Sequence, residues 1–508
     1  NKRQHRFGGA VVMVNRMITP ATQSAQRFFK LILSVLSVFL GFNANAAEKD
    51  YYKLTTIPFP KDLKLEVSGM AALPGDRMAI AIRKGEVWIA EKLSTGQPVY
   101  KRFASGLHEP LGLALQNGDL YTVQRSELTR LRDTNADGRA DEYLTHAKGW
   151  GVTGNYHEYA YGPAVDGAGN LWVALNCSIG KGPNPNNQWR GWSLRVKPDG
   201  SWAPISGGFR SPSGIGTNLA GDVFATDQQG NWFPTCPLVH VKRGAFHGHA
   251  DSLQFTSRPE ATFKVNQPLP KNLTVAEAAK RIPVYQLPAV WFPYRKMGMS
   301  TTDILADSTM GKFGPFAGQL FCGEFTMSFV SRVFLEKVDG EYQGACFRFR
   351  DGLDCAALRL QWGADGSMYI GQSNRGWNSL GTKSYGLQRL QWTGEVPFEM
   401  KSMSVTRYGF RLSFTQMLDV GTAISPKSYT LKSYTYPYHS RYGGEPVDVK
   451  THEVKFAGLD ALGLFIDLAV DEMREGYVYE LHARGVRDHT GRPLLHPEAY
   501  YTLNRTLK

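Results

Sequence analysis

Residues 133–141, Asp-Thr-Asn-Ala-Asp-Gly-Arg-Ala-Asp, carry oxygen-bearing side chains at the spacing of a calcium-binding loop. In such a loop, positions 1, 3, 5 and 9 bind through side chains, position 7 binds through its carbonyl, and position 6 is a glycine that makes the sharp turn. The ligands would be Asp133, Asn135, Asp137, Asp141 and the carbonyl of Arg139. Position 12 is Leu144 rather than Glu, so the pattern is not a full EF-hand. We predict a structural Ca²⁺ site, and the alternative is an Asx-rich turn without metal.

A second group of metal-binding side chains lies in the segment His247-Gly-His249-Ala-Asp251. Alternate residues of a strand point to the same face, so the three side chains would share one face. Imidazole and carboxylate groups bind transition metals. Ordinary polar packing is the alternative interpretation of this segment.

The elements that must position these residues follow a repeat. A loop with Gly and often Asp or Asn, followed by a strand of alternating apolar residues, occurs at 73–81, 115–123, 166–174, 218–226, 316–323 and 363–371. Several units have a further apolar strand before or after them, and such strand groups at intervals of tens of residues are typical of propeller blades. The sequence therefore predicts an all-β fold with a six-bladed β-propeller; a series of β-sandwiches is the alternative.

The repeats divide the chain into regions. The propeller is predicted over 47–394, with an insertion over about 250–312 that contains a helix at 274–281. After Pro397 the composition shifts to long alternating strands, so 395–508 is predicted to form a small β-sandwich. Cys346 and Cys355 could close a loop as a disulfide, which spacing alone does not establish.

The 508-residue chain has a formal net charge of +13 and is 42% apolar, which excludes disorder over most of its length. Residues 1–46 contain six Lys or Arg and no acidic residue, followed by the apolar run 31–42 and Ala44-Asn45-Ala46. This pattern predicts a leader with a cleaved secretory signal peptide, and the alternative is an N-terminal membrane anchor. Removal of the leader leaves +7, with no basic run that favours nucleic acid. We expect a secreted or periplasmic protein without a stable membrane anchor.

Several segments in order along residues 65–392 resemble the glucose/sorbosone dehydrogenase family of pyrroloquinoline-quinone (PQQ) dependent sugar dehydrogenases. The likeness is strongest to a secreted branch in which an Ig-like domain follows the propeller. The segments are Pro-Leu-Gly-Leu at 110–113, Tyr-His-Glu-Tyr-Ala-Tyr-Gly-Pro at 156–163, Gly-Phe-Arg-Ser-Pro-Ser-Gly at 208–214, Thr-Asp-Gln-Gln-Gly-Asn at 226–231, Gly-Ala-Phe-His-Gly-His at 244–249 and Gly-Gln-Ser-Asn-Arg-Gly-Trp at 371–377.

The resemblance implies oxidation of a sugar or polyol hydroxyl by hydride transfer to PQQ. His157 would be the general base, since an imidazole titrates near neutrality, and Arg210 would face the quinone oxygen. The cofactor-binding residues would be Asp227, Gln228, Arg359 and His247. No Cys-x-x-Cys-His motif for covalent haem occurs, so electrons would pass to a separate acceptor.

The chain departs from the family in two places. Ser211 follows Arg210 where the family usually has Asn, and the segment 324–332 contains no Lys where the family has one that clamps the cofactor. Two other functions therefore stay open. One is a catalytically inactive propeller that binds glycans or a partner protein, and the other is a calcium-dependent hydrolase or lactonase. Structural roles for His157 and Arg210, in a loop or between blades, are the alternatives at the residue level.

Overall fold

The computed structural model describes residues 47–180, 188–374 and 376–507. The predicted signal peptide, residues 1–46, lies outside the described residues. Within the described part, no helix is long and apolar enough to cross a membrane.

Thirty-four strands and three short α-helices make up the described chain. The strands of the first three blades, with the N-terminal strand, are β1 (Tyr52–Thr56), β2 (Val67–Leu73), β3 (Arg77–Ile82), β4 (Glu86–Glu91), β5 (Val99–Ala104), β6 (Leu113–Gln116), β7 (Asp119–Val123), β8 (Glu127–Arg132), β9 (Glu142–Lys148), β10 (Ala160–Val165), β11 (Leu171–Leu175), β12 (Trp192–Val196) and β13 (Trp202–Gly207). The strands of the next three blades, together with β17, which lies outside the blades, are β14 (Gly214–Thr217), β15 (Val223–Thr226), β16 (Cys236–His240), β17 (Leu273–Thr274), β18 (Val290–Phe292), β19 (Thr301–Ala306), β20 (Leu320–Glu324), β21 (Phe329–Val338), β22 (Glu341–Arg350), β23 (Ala357–Trp362), β24 (Met368–Ser373) and β25 (Tyr385–Trp392).

The C-terminal region adds β26 (Met400–Thr406), β27 (Gly409–Phe414), β28 (Thr430–Thr435), β29 (Pro437–Tyr438), β30 (Val447–His452), β31 (Val454–Leu459), β32 (Phe465–Val470), β33 (Tyr477–His482) and β34 (Glu498–Leu503). The α-helices are α1 (Glu48–Tyr51), α2 (Val275–Arg281) and α3 (Val420–Ala423). Single 3₁₀ turns lie at Leu93–Thr95, Ala250–Phe255 and Pro426–Ser428.

Six antiparallel blades of four strands form the propeller, which confirms the predicted fold. Blades one to three are β2–β5, β6–β9 and β10–β13; blade four is β14-β15-β16-β18; blade five is β19–β22; and blade six is β23-β24-β25-β1. Each predicted repeat unit lies at the junction of the first and second strands of one blade. The repeat could be identified from sequence because its tight turns and alternating burial are local properties.

Glycines allow the innermost strands to approach one another around a central channel. A Cβ on Gly69 of blade one would lie 2.5 Å from the backbone of Gly112, beside blade two. A Cβ on Gly112 would lie 1.9 Å from the carbonyl oxygen of Gly162 in blade three, and one on Gly214 in blade four 2.2 Å from that of Thr302 in blade five. Any side chain at these positions would push neighbouring blades apart.

The remaining contacts complete the ring. A Cβ on Gly162 would lie 3.3 Å from Ile215, which joins blades three and four. Thr302 Oγ1 donates a 2.7 Å hydrogen bond to the carbonyl of Ala357, which joins blades five and six. β23 of blade six packs against β2 of blade one. β1 pairs with β25, so a strand from the start of the described chain completes the last blade.

The insertion in blade four occupies 241–289, between β16 and β18, rather than the predicted 250–312. Residues 290–292 form the outer strand of blade four, and 301–306 form the inner strand of blade five. The strand at 290–292 has only three residues and is followed by Pro293, so it shows no alternation in the sequence. The predicted helix at 274–281 corresponds to α2, which Thr274 and Glu277 cap reciprocally.

The C-terminal region is a β-sandwich fused to the propeller. One sheet has the order β26-β27-β32-β31, and its Met403, Phe410 and Ile466 share a core with Leu431 and Tyr479 of the second sheet. The second sheet, β34-β33-β28-β30, continues blade five, because β34 pairs with β22 to give eight strands. The predicted boundary near 395 is therefore not a flexible linker. Assignment of the sandwich to the Ig-like class stays a prediction.

All five cysteines are buried free thiols. Cys346 lies in β22, with its thiol 3.7 Å from the carbonyl of Trp291, and Cys355 lies in the loop before β23. The pair does not form the disulfide that their spacing allowed.

A buried charged cluster joins the two ends of the described chain. His496 contacts Glu399 at 2.6 Å and Glu48 at 2.9 Å, and Arg350 also pairs with Glu48. Although burial opposes it, the charge of Glu399 and the hydrogen bonds to both carboxylates raise the pKa of His496 to about 10. Burial would raise the pKa of Glu48, but the hydrogen bond and charge of His496 outweigh this effect and lower the pKa. The histidine is therefore an imidazolium at neutral pH.

We predict that His496→Gln lowers the free energy of unfolding by about 3 kcal/mol at pH 6, because it leaves two buried carboxylates without their cation. A folded-state pKa above 6.5 gives stabilisation that is complete below pH 6.5 and is lost as the pH rises through about 10. Denaturant unfolding from pH 6 to 10 measures this. The exposed His489→Gln is the control, and a constant difference between wild type and His496→Gln across this range would contradict the prediction.

Candidate functional site

A cavity of about 410 Å³ opens at one end of the central channel. Its walls come from the loops that precede the first strand of a blade and from those that join the second and third strands. Among the described residues that line it there is no Asp, Glu or Lys. We call this the mouth cavity; it contains three of the predicted residues, His157, Arg210 and Gln228.

Arg210 places an unpaired positive charge in the wall of the mouth cavity. The residue is 7% exposed, and its Nε is buried without a hydrogen-bond partner among the described residues. No described carboxylate lies within salt-bridge distance, and the nearest aromatic contact is the ring of Tyr442 at 5.3 Å. A Cβ on Gly230 would lie 2.0 Å from Arg210 Nε, so the guanidinium occupies the space that this glycine leaves. A buried cation without a counter-ion favours an anionic ligand.

Asp227 holds the Arg210 loop rather than contacting the cavity. Its carboxylate accepts hydrogen bonds from the backbone N–H groups of Arg210 at 2.8 Å, Ser211 at 2.7 Å and Gln228 at 2.6 Å. Burial raises the pKa of Asp227 to about 6, and these hydrogen bonds oppose the rise. Gln228 lines the cavity, but its amide donates to the carbonyl of Thr301 at 3.0 Å. The predicted cofactor contact of Asp227 is therefore corrected to a positioning role.

His157 lies on the loop before β10 and faces the same cavity. Its backbone N–H donates to Asn155 Oδ1 at 3.0 Å, which orders the loop, and its imidazole forms no hydrogen bond with a described residue. Burial first, and then the charges of Arg210 and Arg125, lower the pKa of His157 below its usual value near 6.5. The imidazole is therefore neutral at pH 7 and can accept a proton.

A second positive group on the wall was not predicted from the sequence. Glu109 accepts hydrogen bonds from Arg83, at 3.1 Å, and from Arg125, so two guanidinium groups share one carboxylate. Arg83 lines the cavity and donates to the hydroxyl of Tyr159 at 2.6 Å. These residues lie on separate loops, and no local pattern marks them.

Aromatic rings cover much of the remaining wall. They are Tyr156, Tyr159, Tyr161, Phe325, Trp377 and Tyr442. Tyr442 comes from the C-terminal sandwich, where the N–H of Gly443 donates to the carbonyl of Gly230 at 3.0 Å. The sandwich thus supplies part of the rim, which sequence analysis did not anticipate. The Tyr-rich segment at 156–161 was visible in the sequence, but its role was not.

Arg359 is a structural tie and not a cofactor clamp. Its guanidinium donates to the carbonyls of Ser68 at 2.9 Å, Ser213 at 3.0 Å, Leu358 at 2.6 Å and Leu111 at 3.2 Å. These acceptors line the mouth cavity, whereas Arg359 itself lines a separate cavity at the other end of the channel. The prediction was wrong because four carbonyls already occupy its donors.

His247 is also separate from the mouth cavity. It is 1% exposed, its Nε2 lies 3.1 Å from the hydroxyl of Ser206, and its ring packs 4.7 Å from Phe209. Burial lowers the pKa of His247 to about 3, so it is a neutral core residue. The structure therefore does not support its predicted cofactor contact.

The predicted calcium loop joins β8 and β9 and does not line the mouth cavity. It contains all five predicted residues, Asp133, Asn135, Asp137, Arg139 and Asp141. Asp141 accepts from the N–H of Thr134 at 2.8 Å, and Asp133 accepts from the N–H of Gly138 at 2.9 Å. Asp133 Oδ1 is buried without a partner among the described residues. The loop is thus closed by its own hydrogen bonds, and Ca²⁺ binding stays a prediction.

A family model described as a domain of unknown function, DUF7133, matches residues 99–354, about half of the chain. The protein belongs to the DUF7133 family. The matched segment of this DUF7133 protein includes both His157 and Arg210. No curated protein sequence matches the chain.

Several solved structures are similar to this DUF7133 protein at low identity. An oxidoreductase from Thermus thermophilus, described as a glucose dehydrogenase, is 18% identical with a TM-score of 0.47, covering 67% of this chain and 99% of its own. The PQQ-bound aldose sugar dehydrogenase of Streptomyces coelicolor is 15% identical with a TM-score of 0.44, covering 68% and 99%. A gluconolactonase from Xanthomonas campestris is 14% identical with a TM-score of 0.39, covering 67% and 90%. At these scores the fold assignment rests on the sheets of the DUF7133 chain itself.

We predict that Gly230→Ala weakens anion binding at the mouth cavity, because the new methyl group would displace the Arg210 guanidinium. Thermal stabilisation by citrate measures the affinity, and we expect a loss of roughly tenfold, or about 1.4 kcal/mol. Gly167→Ala is the matched control, since a Cβ there meets nothing within 4 Å. Equal stabilisation of both variants by citrate would contradict the role of Arg210.

We predict that Arg359→Met lowers the free energy of unfolding by about 3 kcal/mol, because buried carbonyls of several blades lose their donor. The same substitution should leave citrate affinity per folded molecule unchanged. Denaturant unfolding and citrate titration, with the exposed Arg243→Met as control, separate the two effects. If Arg359→Met lowered citrate affinity without lowering the free energy of unfolding, Arg359 would instead bind the ligand, as the sequence predicted.

Proposed function

We propose that the mouth cavity oxidises a hydroxyl group of a sugar or polyol with PQQ as the hydride acceptor. One observation carries the proposal: a neutral His157 and the unpaired guanidinium of Arg210 line a single cavity that has no carboxylate among its described lining residues. This combination offers a base and a positive charge without an internal counter-ion. The sequence resemblance to sugar dehydrogenases selects this reaction among those that need a base and a cation.

The lining fits PQQ in charge and shape. PQQ is a planar aromatic tricarboxylate, so it requires cations and flat apolar surfaces. Arg210 and Arg83 would hold its negative groups, and the aromatic rings of the wall would pack against its plane. The absent Lys of segment 324–332 leaves these two arginines as the cations of the described lining. When bound, the cofactor supplies the acceptor for the hydride that leaves carbon.

His157 and Arg210 have different roles in the proposed reaction. His157 takes the proton of the substrate hydroxyl on a ring nitrogen, which is free because neither nitrogen bonds to a described residue. Arg210 offsets the negative charge that collects in the cavity during oxidation, and Asp227 keeps its backbone in place. The aromatic rim restricts water at the site and offers stacking surface to a sugar ring.

We propose that the leader exports the protein, that Ca²⁺ binds the 133–141 loop for stability, and that a separate carrier collects the electrons. A calcium-dependent hydrolase is less well supported, because the described mouth lining lacks the carboxylates that would bind Ca²⁺ there. Binding of an acidic glycan without turnover would use the same Arg210 and is an outcome of the test below.

We predict that the purified full chain binds PQQ with micromolar or better affinity and oxidises aldoses or polyols when an artificial electron acceptor is added. His157→Gln should retain PQQ binding and lose at least about 100-fold in kcat, the usual effect of a general base. Arg210→Met should lose PQQ affinity as well. His247→Gln is the matched control. Glycan binding without PQQ binding or turnover would overturn the proposal in favour of a binding module.

The pH dependence supplies a further test of His157. The imidazole must be neutral to accept the proton, and Arg210 is one of the charges that lower its pKa. In wild type, kcat/KM should therefore fall only below a pKa that is lower than 6.5, and the residual activity of Arg210→Met should fall at a higher pH. An acidic limb that is the same in both proteins would show that His157 is not the base.

A further inference from the structure

Three side chains of different metal-binding types meet behind the wall that carries Arg210. They are Cys177, just after β11, His249, which precedes the 3₁₀ turn Ala250–Phe255, and Asp251 in the first positions of that turn. One ligand atom from each lies within 4.8 Å of the others, and among the described residues this is the one group of its kind. We infer that Cys177, His249 and Asp251 form a zinc-class transition-metal site.

The backbone brings these residues together from distant parts of the chain. The N–H of Cys177 donates to the carbonyl of Arg210 at 2.9 Å, and the N–H of His249 donates to the carbonyl of Gly208 at 2.9 Å. Both segments are thus fixed to the same stretch, 208–210, from opposite sides. The N–H of Asp251 donates to His249 Nδ1 at 3.4 Å, so the neutral ring carries its proton on Nε2, and Nδ1 offers its lone pair to a metal when this long contact opens.

The donor atoms suit a borderline-soft divalent ion. The Cys177 thiol and the Asp251 carboxylate make no side-chain hydrogen bond with a described residue, and Cys177 and His249 are 1% and 4% exposed. Thiolate, imidazole and carboxylate ligands together favour Zn²⁺ over Ca²⁺, which takes only oxygen. Metal–ligand bonds of about 2.0–2.3 Å imply ligand separations of about 3.5 Å, so about 1 Å of closure completes the site. Three protein ligands leave the fourth position for water.

Charge balance is compatible with the neighbouring arginine. A thiolate and a carboxylate together neutralise a divalent ion, so Arg210 keeps its positive charge for the mouth cavity. The charges of Asp251 and Arg210 interact, but no salt bridge joins them among the described residues, so the Asp251 carboxylate can still bind a metal. The metal would instead fix the segments on either side of 208–210 and thereby the position of Arg210.

The site differs from the one that the sequence pattern suggested. Alternation along a strand grouped His247 with His249 and Asp251, but the segment is not a strand, and His247 contacts Ser206 and Phe209. Cys177 takes its place from more than 70 residues earlier in the chain. No spacing rule connects it to the other two.

The test is titration of the chelator-treated full chain with Co²⁺, a spectroscopic substitute for Zn²⁺, together with metal analysis after Zn²⁺ loading. We expect one metal per chain and a thiolate-to-cobalt charge-transfer band in the near ultraviolet. Cys177→Ser should abolish the band. His249→Gln and Asp251→Asn should weaken Co²⁺ affinity more than about 100-fold, beyond the loss caused by an outer-shell partner. His247→Gln and Cys322→Ser, a buried cysteine elsewhere, are the matched controls and should bind as wild type does.

The outcomes separate the site from other binding and from the proposed oxidation. Absence of the band in wild type, or its retention in Cys177→Ser, would overturn the inference. Equal loss of affinity in His247→Gln would also overturn it, because the segment as a whole would then be responsible. If Cys177→Ser does not fold, Asp251→Asn provides the test, because Asp251 is partly exposed. This variant should keep the charge-transfer band but bind Co²⁺ more weakly than wild type. The readouts do not depend on PQQ or turnover, so they hold whatever the proposed function yields.

Discussion

The hydrogen bonds that the Arg359 guanidinium donates are the interaction on which closure of the propeller ring depends. The guanidinium lies in the central channel and donates to carbonyls from blades one, two, four and six. The inner strands can converge there because glycines replace side chains where the blades meet. Since the acceptors of Arg359 line the mouth cavity, the same hydrogen bonds that close the ring also form the floor of the site. The Arg359 side chain in the channel thus has a structural role and is not available to a ligand.

The electrostatics of the mouth follow from an imbalance between arginines and carboxylates. Arg83 and Arg125 share Glu109, and Arg210 has no partner among the described residues. Asp227, the acidic residue that holds the Arg210 loop, is occupied by backbone N–H groups. Burying positive charge in this way destabilises the empty protein, so the arrangement makes physical sense as a binding site for an anion. Burial, together with the charges of Arg210 and Arg125, lowers the pKa of His157 and keeps its imidazole neutral.

The C-terminal sandwich is part of the site as well as part of the fold. β34 extends blade five, and Tyr442 reaches the rim beside Gly230 and Arg210. At the other end of the sandwich, His496 ties Glu399 to Glu48, next to the strand that completes blade six. The ring is therefore closed twice, once by strand pairing and once by a buried ionic cluster. Relative motion between propeller and sandwich would disturb the mouth cavity.

The sequence alone determined the six blades, the helix at 274–281 and the sandwich, because tight turns and strand alternation are local features. The family resemblance selected His157 and Arg210, and the structure brings both to one cavity. The sequence did not determine which polar side chains lack a hydrogen-bond partner and can bind a ligand. Arg359 and Arg210 look alike as residues. Arg359 meets four carbonyls from distant blades, whereas Arg210 meets none among the described residues. Likewise, Cys177 reaches His249 and Asp251 only because the ring brings β11 against the blade-four insertion. The tertiary structure decided these points, since hydrogen bonding and burial depend on contacts between segments far apart in the chain.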